Sequence, residues 1–268
     1  MLIKIGYELI FNIPSPTNMA LALYVHPDQA EVLQKPERLI VEPNVPIRTY
    51  IDNHGNVIGR ILAPAGPLRL YYDNIAEDSG KPEPKIDGAW LHPVEELPSE
   101  CLRFLLPSRY CEVDRMSQIA WDLFGGTPFS WERVKIIIEW VHNHVQFGYQ
   151  YARPTKTAFE TYVERQGVCR DYQHLAITLL RAMNIPARYA TGYLGDIGVP
   201  RSSAPMDFSA WFEVYLGGTW YTVDARHNKN RIGRVLQARG RDACDVALTT
   251  SFGPTFLQKF TVWTDEIG

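Results

Sequence analysis

Cys169 follows Gly167-Val168 and opens the run CRDYQHLAITLLRAMN. Tyr172, Leu175, Ala176, Leu179 and Met183 recur there at helical spacing, so Cys169 is expected at a helix N-terminus. Such an end offers free backbone N–H groups and a partial positive charge. Both favour thiolate over thiol, which predicts a lowered Cys169 pKa. The same N–H groups suit an oxyanion formed when sulfur attacks a carbonyl. A thiol nucleophile fits this spacing. A buried apolar cysteine at a helix end fits it too, because free cysteines are among the most buried residue types. A thiol nucleophile needs a base, and the base needs an orienting carboxylate. Asp224, at the end of the apolar run TWYTVDA, suits that role, and capping the next turn is its other ordinary use.

The elements around these residues read as follows. Ile3, Ile5, Tyr7, Leu9 and Phe11 alternate with Lys4, Gly6 and Glu8, the pattern of a strand with one buried face. Short apolar runs separated by Pro, Gly and Asn continue to about residue 95, with a hairpin signal at Asp52-Asn53-His54-Gly55-Asn56. The Pro- and acid-rich stretch from Asp78 to Glu100 reads as a linker or a surface loop. A β-rich domain over 1–95 and a second domain over 96–268 are therefore expected. Beyond Ser108 the period becomes helical, over 114–124, after the N-cap Ser130, in TAFETYVER and in the Cys169 run. Asn184 supplies a C-cap, and Pro186 prevents continuation. The runs ARYATGYL, FSAWFEVYL and TWYTVDA then read as strands, the last two joined by a tight Gly217-Gly218 hairpin, and TFLQKFTVW as a final strand. Helices first and strands afterwards predict an α+β domain.

The 268 residues are 46% hydrophobic and 21% charged, which excludes a disordered chain, a collagen-like repeat and a disulfide mini-scaffold. A net charge of −3, with no basic stripe, argues against a nucleic-acid partner. No apolar run is long enough to span a bilayer, and the N-terminus, interrupted by Lys4 and Glu8, does not resemble an export signal. A cytoplasmic location is expected, with Cys101, Cys111, Cys169 and Cys244 as free thiols.

GVCRDYQHLAITLLRAMNIPARYATGY followed by AWFEVYLGGTWYTVDARHN resembles the core of the transglutaminase-like superfamily, most closely its bacterial cysteine protease branch. The match runs from about Trp131 to Asp224, and the β-rich segment before it is similar to the N-terminal region of that branch. The resemblance implies a papain-like layout in which helices pack on an antiparallel sheet, with Cys169 as nucleophile and His and Asp on adjacent strands. It implies acyl chemistry through a thioester, with no cofactor and no metal. Relatives of this branch often occur beside ATP-grasp ligase-like proteins, which adds a biosynthetic acyl transfer to the readings.

In the family, the residue before Ala-Trp is the catalytic histidine, and here it is Ser209. A serine hydroxyl cannot act as a base near neutral pH, whereas an imidazole can. Of the seven histidines, His26, His54 and His92 read as turn or surface residues. His142 and His144 read as surface partners of a helix C-terminus. His174 lies five residues past Cys169, about 140° around the helix, and cannot easily face the sulfur. His227, three residues past Asp224, remains as the base, or as an ordinary turn histidine. Asp171 reads as a first-turn helix stabiliser. Arg170, Ser209 and Trp211 are candidates for substrate contact, although an exposed first-turn Arg and a packed strand Trp are the more common roles. The segment from Arg231 to Gly253, with Arg231, Arg234, Arg239 and Arg241, offers an anionic-substrate patch, but Asp242 and Asp245 balance part of it, so it reads first as a surface loop with local ion pairs, and Cys244 as a buried small residue.

Two functions from different classes follow. One is a thiol-dependent hydrolase or acyltransferase acting on an amide or peptide-like substrate through a Cys169 thioester. The other is a catalytically silent transglutaminase-like binding or assembly module, favoured by Ser209. The sequence leaves the oligomeric state open.

Overall fold

The computed structural model describes residues 1–83, 86, 88–202 and 205–267. Pro84, Lys85 and Asp87 of the expected linker lie outside the described residues. The first strands are β1 (Leu2–Ile13), β2 (Thr17–Leu21), β3 (Ile40–Glu42), β4 (Arg48–Ile51), β5 (Val57–Ala63) and β6 (Gly66–Glu77). A short helix α1 (Ser99–Leu102) leads to α2 (Val113–Phe124) and α3 (Trp131–His144). Then come β7 (Gln146–Phe147), α4 (Ala158–Glu164), β8 (Gln166–Gly167) and α5 (Cys169–Ala182). The chain ends with β9 (Ala187–Leu194), β10 (Ser209–Leu216), β11 (Thr219–Val223), β12 (Arg234–Gly240), β13 (Thr249–Ser251) and β14 (Phe256–Ile267).

Three four-stranded antiparallel sheets result, in the orders β14-β1-β6-β3, β13-β2-β5-β4 and β11-β10-β9-β12. The period-two pattern of β1 does what it predicts, with Ile3, Ile5, Tyr7, Leu9 and Phe11 all buried. The third sheet lays Ala210, Phe212 and Val214 against the apolar stripe of α5, together with α2, α3 and α4. This is the α+β architecture of helices on an antiparallel sheet, preceded by a β-rich region. The last two strands return to that first region, β13 beside β2 and β14 along the whole of β1. The β-rich sheets are therefore built from both halves of the chain. Among the described residues, no helix is long and apolar enough to cross a membrane.

Local signals account for the helix ends. Ser130 accepts the Glu132 N–H, and Thr157 forms a reciprocal capping box with Glu160. Asn184 takes φ 60° just past α5, the left-handed conformation Asn tolerates. Gly217 and Gly218, at φ 53° and 87°, make the two-residue turn between β10 and β11.

Four expectations need correction. The segment beginning at Arg231 is not a surface loop: it holds β12 and β13, with Val235, Leu236 and Ala238 buried. Arg241 makes the expected local pair with Asp245, but Arg234 pairs with Glu83 and Asp224, and Arg239 with Glu213 and Asp28. Cys244 is exposed, not buried. His26 is buried at 3% exposure and caps a short 3-10 turn by accepting the Asp28 N–H. His142 and His144 are tied inward, bonded to the carbonyls of Ala225 and Tyr162, and His144 stacks on Trp140.

Candidate active site

Cys169 is the first residue of α5. The chain reaches it through Val168 in extended conformation. Asp171 is fully buried and accepts the Val168 N–H at 2.9 Å, closing the first turn. A Cβ at Gly167 would lie 2.7 Å from the Asp171 Cβ, so glycine is what lets that carboxyl fold back. Asp171 therefore fixes the helix start, and it also holds Arg170 through its other oxygen.

One turn later, Gln173 ties the helix to the sheet. Its amide nitrogen donates to Asp224 Oδ1 at 3.0 Å and to the Ala210 carbonyl at 3.2 Å, and its oxygen accepts the Ala225 N–H. The sequence carried a signal for Gln173 that went unread: it stands four residues from Cys169, on the same helix face.

Asp224 follows the end of β11, buried, and accepts five bonds. Oδ1 takes Gln173 Nε2 and the backbone N–H groups of Arg226 and His227. Oδ2 faces His227 Nδ1 at 2.8 Å and Arg234 Nη2 at 3.1 Å. Burial works to raise this carboxyl, but the His227 bond and the Arg234 charge outweigh it and hold the group well below the usual carboxylate range. Asp224 is thus an anion bound to His227 and clamped from behind.

Cys169 and His227 line one cavity of about 120 Å³, together with Tyr149, Asp207, Ser209 and Arg226. A second, larger and more apolar groove of about 630 Å³ opens beside Cys169 and Ser209, walled by Val168, Tyr189, Val246, Leu248 and Phe260. The sulfur therefore stands between a small polar pocket and a long apolar trough.

The expected lowering of the Cys169 pKa is not found. The residue keeps partial access to solvent, yet burial of the sulfur pushes the thiol up to about 11. Arg226 and the backbone N–H groups of Ala210 and Arg170 pull the other way, while Asp207 adds to the rise. Desolvation of the anion outweighs the donors at the helix end. The thiol rests protonated, so attack requires a proton acceptor.

The other residues singled out from sequence go to different places. Ser209 begins β10 opposite Gly192, is buried, and lines both spaces beside Cys169. Trp211 lines neither. It packs with Ala190 and Leu236, with the Arg234 guanidinium 4.9 Å from its ring centroid. Arg170 lines the apolar groove, but its guanidinium is held by Asp171 and the Arg153 carbonyl. His174 is buried, stacks on Tyr110 and accepts the Ala243 N–H, far from any acid–base role at the sulfur. Arg226, next to His227, and Asp207, two residues before Ser209, are further residues of the cavity. Among the described residues, no cluster of three or more His, Cys, Asp and Glu side chains is arranged to hold a metal ion.

The sequence and fold around this site have counterparts among known proteins. Residues 118–225 match the family model of the transglutaminase-like superfamily. The chain superposes on a protein from Cytophaga hutchinsonii assigned as a cysteine protease, with a TM-score of 0.85 and 31% identity, covering 99% of this chain and 90% of that one. It is also 34% identical over 89 residues to an uncharacterized protein of Mycobacterium leprae (strain TN). That stretch is 31% of this chain and 30% of the relative, so the chain spans about a third of the curated relative it matches. The chain belongs to the transglutaminase-like superfamily.

Proposed function

We propose that the protein is a thiol-dependent hydrolase or acyltransferase that acts on amide bonds of peptide-like substrates through a thioester on Cys169. The observation that carries this reading is the shared cavity of Cys169 and His227, with His227 Nδ1 bound to the Asp224 carboxylate. That bond leaves Nε2 as the nitrogen free to exchange a proton. His227 then takes the Cys169 proton as the sulfur attacks the carbonyl carbon, and the carbonyl oxygen becomes an oxyanion. The backbone N–H groups of Ala210 and Arg170, which favour the thiolate, are the donors suited to share that charge. As the tetrahedral species collapses, the C–N bond breaks and His227 returns the proton to the leaving amine. Water or a second amine then attacks the thioester, completing hydrolysis or transfer. Asp224 orients the imidazole and stabilises its charged form.

His227 here does the work that the family assigns to the position of Ser209. The similarity to a Cytophaga protein assigned as a cysteine protease supports peptides as the substrate class. We place the protein in the cytoplasm of a bacterial cell, on the strength of its free thiols and of that likeness.

The test is to incubate the protein with a panel of peptide p-nitroanilides and p-nitrophenyl esters, trap the acyl adduct in acid, and locate it by mass spectrometry. An adduct on Cys169, lost in Cys169→Ala together with turnover, is the expected result. No adduct and no turnover on either class, with Cys169 inert to alkylation at pH 9, would overturn the reading in favour of a silent binding or assembly module.

A further inference from the structure

The small cavity beside Cys169 carries a charge pattern that acyl chemistry alone does not require. Arg226 lines it, half-buried, with its guanidinium 3.9 Å from the centroid of the Phe147 ring. Among the described residues no carboxylate lies within 4.0 Å of that guanidinium, whereas Arg188 and Arg239, half-buried too, are paired. Asp207 and Asp196 share the cavity; Asp207 feels the Arg226 charge, but neither carboxylate comes within 4.0 Å of that guanidinium.

Arg231 lines the same cavity and points to the same conclusion independently. It is 4% exposed, and its one ion pair, to Asp196, is long at 3.9 Å. One terminal nitrogen donates to the Gly195 carbonyl, but Nε is buried with no hydrogen-bond partner among the described residues. A buried guanidinium N–H left unbonded is costly, and a small shift of the Arg231 side chain toward a ligand in the cavity would remove that cost. Burial and the neighbouring cations Arg234 and Arg226 also weaken its hold on its proton. Of the two carboxylates that line the cavity, only Asp196 comes within 4.0 Å of Arg231 and neither does so for Arg226, so both guanidiniums keep donors for an incoming anion.

We propose that this cavity is a carboxylate subsite, so that the amide processed at Cys169 carries a free carboxylate close to the scissile bond, held by Arg226 and Arg231. The inference rests on the thiol chemistry proposed above. The dimensions allow it: about 120 Å³ has room for a carboxymethyl-sized group, and the apolar groove beside the sulfur can take the rest of the substrate. Guanidinium forks bind carboxylates bidentately, which would also fix the carbonyl relative to the sulfur.

Alkylation tests this without a known substrate. Iodoacetate and iodoacetamide are nearly equal in size and differ by one carboxylate. With either, the Cys169 thiolate displaces iodide and an S–C bond forms. Rates are measured at pH 9 by peptide mapping, with exposed Cys244 as the internal reference. Charge-assisted bonds in a partly buried pocket make iodoacetate about tenfold faster, relative to iodoacetamide, at Cys169 than at Cys244. Arg226→Gln should abolish that preference, and Arg226→Lys should keep part of it. If Cys169 reacts with both reagents and shows no preference, the subsite does not exist while the thiol chemistry stands. If Cys169 reacts with neither while Cys244 reacts with both, both proposals fall. Protection from iodoacetamide identifies the source of the carboxylate: N-acetylglutamate α-amide offers only a side-chain carboxylate, and N-acetylglutamine only a terminal one. Equal protection by neutral N-acetylglutamine amide would overturn the subsite.

Discussion

Asp224→Asn puts the proposed proton path under the sharpest stress. Three donors converge on Asp224 Oδ1, from Gln173, Arg226 and His227. The asparagine oxygen must therefore stay on that side, and its NH₂ takes the place of Oδ2. There it faces His227 Nδ1 and Arg234 Nη2, at distances that were 2.8 and 3.1 Å. The amide then donates to Nδ1, which forces the imidazole proton onto Nε2 and removes the nitrogen that would accept the thiol proton. Trapping the wrong tautomer in a Cys/Ser–His–Asp arrangement costs on the order of 10⁴ in turnover. Stability falls too, because Arg234 keeps only Glu83 as partner. Two charge-assisted bonds are weakened, about 2–3 kcal/mol. That corresponds to a melting-point drop of roughly 5–10 °C for a chain of this size. The assay is turnover of the best p-nitroanilide of the panel, measured well below the melting point of the variant, with circular dichroism to show that it is folded. A folded Asn variant within tenfold of the parent would refute the role given to Asp224 and His227.

Further outcomes follow from the same geometry. Iodoacetamide labelling of Cys169 should be slow at pH 6 and still climbing at pH 10, because burial holds the thiol near 11; fast labelling at pH 6 would show a resting thiolate instead. Gly167→Ala should displace the Asp171 carboxyl from the Val168 N–H and lower turnover and melting temperature together, by about 1–3 kcal/mol in stability; an unchanged melting curve would contradict the account of the helix start. Glu37 accepts the Val25 N–H, and burial lifts its carboxyl to about 7. Its folded form thus binds its proton more tightly than the unfolded chain does, so stability is full below about pH 4.5 and declines as pH rises to 7. Glu37→Gln should flatten that decline and add about 2 kcal/mol at pH 8, read from urea midpoints at several pH values; a parallel decline in both proteins would exclude Glu37 as its source.

Wherever a local period decides structure, the sequence was informative. The alternation of β1, the stripe of α5 and the Ser130 and Thr157 caps all act between residues a few positions apart, so they stand in the chain itself. What stayed hidden is set by distant partners. Arg239 looked like a solvated surface cation because Asp28 is 211 residues away. Ser209 and Trp211, both on β10, were grouped as substrate contacts, yet Ser209 sits at the strand end beside the sulfur while Trp211 lies under Arg234. The Cys169 pKa was misjudged because a helix end can be inferred from pattern and the density of atoms around a sulfur cannot. Membership of the superfamily was legible because its motifs are contiguous, and the pairing of His227 with Asp224 was only half legible because it depends on how a three-residue step turns.

The return of β14 to β1 makes the β-rich sheet one of the slowest parts of this molecule to assemble. Leu2 sits beside Ile267 and Glu8 beside Thr261, so closing that ladder means bringing together points some 250 or more residues apart. Loop-closure entropy opposes such pairings before any contact rewards them. During synthesis, β1 and β6 can zip together early, but β1 keeps one open edge until almost the whole chain has emerged, an interval in which it can pair with a neighbour's strand. Phe260, carried on β14, also walls the groove beside Cys169. The trough is therefore finished late in folding, and a nascent chain carries its thiol without the wall that would hold a substrate against it.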